Sequence, residues 1–126
     1  MTTMQVGKRL VELCQANKHM EAIDELYHQD IDSIEAGGGS EKMPAHQKGV
    51  QAVRAKANWW FSNHIIHGGT AKGPFPHGDR FAVIFTMDIT PLAGPMKDKR
   101  FQMEEVGLYT VANGMIVKEE FFYAMG

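Results

Sequence analysis

Two glutamates stand where carboxylates are not expected. Glu105 falls in the series Phe101, Met103, Glu105, Gly107 and Tyr109, every second residue of the run from Arg100 to Val111. Glu119 falls in the series Val117, Glu119, Phe121 and Tyr123. Alternate residues of a strand share a face, so each carboxyl shares its face with aromatic and aliphatic groups. A carboxylate in such surroundings is costly unless it is paired, hydrated or protonated. Desolvation raises its pKa, and a raised carboxyl in an apolar cavity suits general acid–base chemistry near neutral pH. A register slip or a bulge would turn Glu104 and Glu120 inward instead. The alternation as it stands favours Glu105 and Glu119.

Other residues could share such a cavity. Glu35 ends a short alternating segment beside Gly37, Gly38 and Gly39. It reads as a proton shuttle at the rim or, more simply, as a solvated strand end. His64 and His67 are three apart on an expected strand, so they point to opposite faces and cannot easily share an ion. We expect no metal site and no cofactor. One of the two histidines should face the cavity as a proton carrier, although His64 beside Trp60 is equally plausible as packing. Trp59, Trp60, Phe85 and Met87 would form flat or adaptable apolar walls. Tyr109 or Tyr123 could hydrogen-bond an enolate oxygen. Cys14, on the apolar stripe of the first helix, reads as an inert buried thiol.

The elements that would position these groups follow from periodicity. Thr2 and Gln5 form a capping box ahead of the stripe Val6, Leu10, Leu13 and Cys14. A second helix carries Met20, Ile23, Leu26 and Tyr27 on one face. Asp30 to Ala36 alternates as a short strand. A third helix follows Gly49, with Val50, Val53, Ala57, Trp60 and Phe61 at helical spacing and Trp59 at the stripe's edge. Strands then run over 64–72, 80–90, 100–111 and 115–123. Pro74, Pro76 and Gly78 are expected to turn between the first pair, and Asn113-Gly114 is a strong hairpin signal between the last pair. Helices first and strands later argue an α+β domain with a mainly antiparallel sheet.

The totals narrow the classes. The chain has 126 residues, a length that suits one domain over 1–126 with a single core. Its 13 Lys plus Arg against 15 Asp plus Glu leave no basic field for nucleic acid. No apolar stretch reaches membrane-spanning length. A single cysteine cannot form an internal disulfide, which suits a reducing cytoplasm.

The element order, the segment Ile31-Asp32-Ser33-Ile34-Glu35 and the hairpin from Glu105 to Val117 around Asn113-Gly114 resemble the SnoaL-like branch of the nuclear transport factor 2-like superfamily. The resemblance implies a cystatin-like cone, three helices over a curved sheet, with a deep pocket between them. It also implies frequent dimerisation through the outer sheet face, hence a homodimer. Members include ketosteroid isomerases, polyketide cyclases, dehydratases, epoxide hydrolases and non-enzymatic modules. In steroid isomerases a carboxylate base follows the first strand, and Glu35 stands within about a residue of that place. Their oxyanion site needs a tyrosine from the first helical region, and the first helix here has none; Glu105 could supply the acid. The cyclase His and Asp on the closing strand become Glu119 and Phe121. No epoxide-hydrolase Asp-Arg-Asp set assembles around Arg54, Arg80 or Arg100.

Two functions stay open. One is cofactor-free acid–base chemistry on a small apolar carbonyl compound: isomerisation, cyclisation or dehydration. The other is a non-catalytic dimeric module that binds a hydrophobic ligand or assembles.

Overall fold

The structure, a computed structural model, describes residues 1–37 and 44–124. Its elements are α1 (Thr3–Gln15), α2 (His19–Leu26), β1 (Tyr27–Ile34), β2 (His46–Lys48), α3 (Val50–Ser62), β3 (His64–His77), β4 (Arg80–Pro91), β5 (Phe101–Ala112) and β6 (Met115–Phe122). The six strands form one sheet in the order β2-β1-β6-β5-β4-β3. Only β1 and β6 run parallel; the other neighbours are antiparallel. The architecture is therefore α+β, three helices on a mainly antiparallel sheet.

Local chemistry explains the element ends. The Gln5 backbone N–H donates to Thr2 Oγ1 at 3.1 Å while the Thr2 N–H donates to Gln5 Oε1 at 2.9 Å, which closes the capping box at the start of α1. At the β5–β6 turn Asn113 and Gly114 both take positive φ, 52° and 78°. That backbone matches the twist of the flanking strands. Helix α1 presses Val6, Leu10 and Leu13 into the core, where they meet Phe81, Val83 and Ile116. It crosses β3 so closely that a Cβ on Gly7 would lie 2.8 Å from Pro74 Cβ.

Several boundaries differ from the sequence reading. Tyr27 does not end α2; its backbone is already extended at φ −89° and ψ 134°, and it opens β1. The strand expected over 30–36 thus begins three residues earlier, behind the polar run His28, Gln29 and Asp30. Pro74 and Pro76 lie inside β3, not in a turn. Strand β3 is at the sheet edge, where a missing N–H leaves no ladder partner unsatisfied. The turn itself shrinks to Gly78-Asp79. The short strand β2, pairing Lys48, Gln47 and His46 with Asp32, Ser33 and Ile34, carries no alternation strong enough to predict. The glycine loop expected from Gly37 falls partly outside the described residues, at Gly38 and Gly39.

Strand parity follows the alternation. Phe85 pairs with Glu105, Phe81 with Tyr109, and Tyr109 with Glu119, so these side chains share the sheet face beneath the helices. Glu104 is exposed on the opposite face, and Glu120 there lies 3.6 Å from Lys118. Gly107 makes this inner face possible. A Cβ there would stand 2.8 Å from Tyr109 Cε2 and 3.0 Å from its hydroxyl oxygen. The Tyr109 ring cannot yield, because it is 2% exposed, stacked on Phe81 at 5.0 Å and edge-on to Phe121 at 6.2 Å. Gly107→Ala should therefore destabilise the fold by about 1–3 kcal/mol, as overpacked cores do. An unchanged urea midpoint would show that the ring has room.

Candidate functional site

Between the helices and the inner sheet face lies a cavity of about 600 Å³ with mostly apolar walls. Helix α3 explains why it stays open. Of its apolar stripe only Val53 is buried. Ala57, Trp60 and Phe61 are only partly buried and line the cavity. Trp59 also reaches the cavity while half exposed, at 50%, which places it at the mouth.

A chain of polar groups crosses the sheet side. Glu119 is 2% exposed, and its two oxygens accept from the Tyr27 hydroxyl and, at 2.8 Å, from Ser33 Oγ. Lys56 Nζ donates to Ser33 Oγ at 2.5 Å and to Glu35 Oε1 at 2.8 Å. The Tyr123 hydroxyl donates to the other Glu35 oxygen at 2.9 Å. The Lys56 ammonium also lies 5.3 Å from the centre of the Phe121 ring. Every buried side-chain polar atom among the described residues has a partner. The chain runs unbroken from a sealed carboxylate to a half-buried one.

Glu105 stands outside this chain of bonds. It lines the cavity and, among the described residues, makes neither a side-chain hydrogen bond nor an ion pair. Burial pushes its pKa up to about 7; the Glu35 and Glu119 charges add to the rise and Lys56 opposes it. Glu119 also titrates above the ordinary carboxylate range. Burial is the main cause, and its Tyr27, Ser33 and Lys56 partners act against it. The Tyr27 and Tyr109 hydroxyls are held well above their usual value, first by burial and then by Glu119. Tyr123 is raised by burial and by Glu35.

The cavity gathers Glu35, Glu105 and Glu119, and likewise Trp59, Trp60, His64, Phe85, Met87, Tyr109 and Tyr123. His67 lies elsewhere, and its expected place on the cavity wall is corrected. It is exposed and bonds Thr90 Oγ1 at 2.7 Å, at the irregularity where the β3–β4 register shifts between Ile66 and Gly68. His64 stacks on Trp60 at 4.1 Å, and its Nδ1 bonds the Trp60 carbonyl at 2.7 Å. Glu35 is not a freely solvated strand end, since Lys56 and Tyr123 hold both its oxygens. The Tyr123 proton is committed to that carboxylate, and the Tyr109 ring is packed against Phe81 and Phe121. Cys14 touches the cavity, and burial pushes its thiol up to about 12, far from the reactive thiolate range.

Sequence reasoning missed Lys56, Ser33, Tyr27 and His19. The signal for Lys56 was present: it lies three residues after Val53 and four before Trp60, on the apolar stripe itself. Ser33 shares the inward parity of Ile31. His19 sits against Phe61 at 4.9 Å, and burial lowers its pKa. Among the described residues no three His, Cys, Asp or Glu side chains stand close enough to hold a metal ion. No helix there is long and apolar enough to cross a membrane.

Because the folded pKa of Glu105 exceeds its ordinary 4.5, the folded state holds this proton more tightly than the unfolded chain. The stability from that proton is full below about pH 4.5 and is lost as pH rises to about 7. Glu105→Gln should flatten the decline over that window and be more stable than the parent at pH 8. Identical pH–stability curves for the two proteins would contradict the buried, raised carboxyl.

Comparison with known proteins agrees with this geometry. The family model of the SnoaL-like domain matches residues 1–123. A candidate SnoaL-like polyketide cyclase from Mesorhizobium loti, whose solved structure also bears the words carbohydrate phosphatase, is 41% identical with a TM-score of 0.90. The match covers 98% of this chain and 100% of that one. A Xanthomonas campestris protein of unknown function with a cystatin-like fold shares 16% identity and a TM-score of 0.77, over 99% of this chain and 92% of that one. A candidate isomerase from Bacillus subtilis shares 11% identity and a TM-score of 0.75, over 98% and 90% of the two chains. These two likenesses speak to fold alone. A comparison with curated proteins gives no match. The chain belongs to the SnoaL-like domain family and has its cystatin-like, nuclear transport factor 2-like fold.

Proposed function

We propose that the protein performs cofactor-free proton transfer on a small, largely apolar carbonyl compound, as an isomerase, cyclase or dehydratase, with Glu105 as the proton carrier. The observation that carries this reading is an unpaired carboxyl in a mostly apolar cavity, with its pKa pushed up to about 7. A general base works best when its pKa lies near the working pH, and an apolar pocket of this size suits a drug-sized ligand.

The other two acids suit supporting roles. Glu119 already accepts from two hydroxyls and is only 2% exposed. Glu35 is ion-paired to Lys56 at 2.8 Å. Both add to the proton affinity of Glu105, whose ionised form is the one that takes the α-proton. Trp59, Trp60, Phe85 and Met87 provide apolar walls, and His64 braces Trp60. The names of the Mesorhizobium and Bacillus proteins agree with proton-transfer chemistry in a general way, but a shared fold does not choose a reaction.

The test is exchange of α-hydrogens for deuterium in 2-acetylnaphthalene, followed by NMR in heavy water. The protein should accelerate exchange over buffer, with a half-maximal rate near pH 7. Glu105→Gln should slow it by about 10²–10⁴-fold, the usual contribution of a positioned base. Equal rates for parent and variant would remove Glu105 from the chemistry. Binding of the ketone with no exchange would favour the alternative, a non-catalytic ligand-binding module.

A further inference from the structure

An apolar cavity with a base also needs a group that holds the carbonyl oxygen. A proton leaving the α-carbon shifts its electron pair into the C–C bond and pushes the C=O pair onto oxygen. That negative charge must be stabilised where it forms. The tyrosine hydroxyls of this wall are engaged or withdrawn from solvent. Tyr123 donates to Glu35, Tyr27 donates to Glu119, and Tyr109 is 2% exposed beneath Phe81 and Phe121. His64 commits Nδ1–H to the Trp60 carbonyl, and its ring is stacked on the Trp60 indole. Burial lowers the pKa of His19, which disfavours its charged form.

Lys56 differs from all of these. It is the one Lys or Arg among the described residues that lines the cavity, and its side chain is only 14% exposed. An ammonium has three N–H donors. Ser33 Oγ and Glu35 Oε1 accept two of them, at 2.5 and 2.8 Å, and the third has no protein acceptor among the described residues. Those two bonds, with the Phe121 ring at 5.3 Å, hold the nitrogen in one place at the wall that also carries Glu105. The carboxyls facing it are Glu35, Glu119 and Glu105.

We infer that Lys56 binds the carbonyl oxygen of the ligand through its third N–H and holds the enolate charge while Glu105 carries the proton. The assignment rests on the pocket reading above and adds a specificity: ligands must place a hydrogen-bond-accepting oxygen next to an apolar ring body. On return of the proton from Glu105 to carbon, the oxygen's electron pair re-forms the C=O bond and the ammonium is unchanged. No other reactant is consumed.

The experiment compares binding of two near-isosteric probes, 2-acetylnaphthalene and 2-isopropylnaphthalene, by quenching of tryptophan fluorescence. The parent protein should prefer the ketone by roughly ten- to a hundredfold, the size of a charge-assisted hydrogen bond. Lys56→Met should abolish that preference while binding the hydrocarbon about as well as the parent does. Lys56→Arg should restore part of it, and the C=O stretch of the bound ketone should lie below its value in hexane only where a cation is present. If Lys56→Met fails to fold, Lys56→Gln decides, with a reduced preference expected. A ketone preference unchanged in the methionine or glutamine variant overturns the assignment and leaves the Glu105 reading intact. Failure of both probes to bind the parent overturns the pocket reading and this assignment together.

Discussion

The seam between β1 and β6 is the constraint from which the site follows. These strands are the one parallel pair in the sheet, and Ser33 pairs with Glu119 across it. Glu119 points inward because strand alternation gives it no choice, and there it is almost wholly removed from water. A charge so placed is tolerable only with good hydrogen-bonding partners. Tyr27 and Ser33, both from β1, provide them, and Lys56 from α3 braces Ser33. One buried carboxylate therefore ties the start of β1, the middle of β6 and the inner face of α3 into a fixed arrangement. Removing one partner would leave polar groups unmatched in the interior, which costs more than the bond itself is worth.

That arrangement creates the asymmetry on which chemistry can act. Among the described residues, three carboxyls share the cavity with one ammonium. Glu119 and Glu35 are the carboxyls among these residues that accept hydrogen bonds from the wall, and Glu105 receives none. Two neighbouring negative charges and burial then act on Glu105 in the same direction. The most weakly held acid is the one open to a ligand, while the well-held ones are structural. The apolar walls sharpen the effect, because low polarity lengthens the reach of each charge.

Much of this was legible in the sequence, and the exceptions have physical causes. Strict alternation in Phe81 to Ile89 and Phe101 to Tyr109 declared which residues share a face, and Asn113-Gly114 set the hairpin that aligns Tyr109 with Glu119. Local pattern could not say which groups would pair. Tyr27 and Glu119 are 92 residues apart, and Lys56 and Glu35 are 21 apart. Tyr27 continued a helical stripe so well that its extended backbone was hidden. The prolines of β3 imitated a turn, since sequence does not reveal that a strand lies at an edge. Lys56 went unremarked, although its spacing from Val53 and Trp60 put it on the apolar stripe.

The most direct test of the central claim is a ¹³C NMR titration of the glutamate side-chain carboxyls, with the Glu105 signal identified by its loss in Glu105→Gln. The structure predicts a transition for Glu105 centred near pH 7. A transition near the ordinary 4.5 would mean that water or a partner relieves the carboxyl, and the site would then have no proton carrier poised for neutral pH.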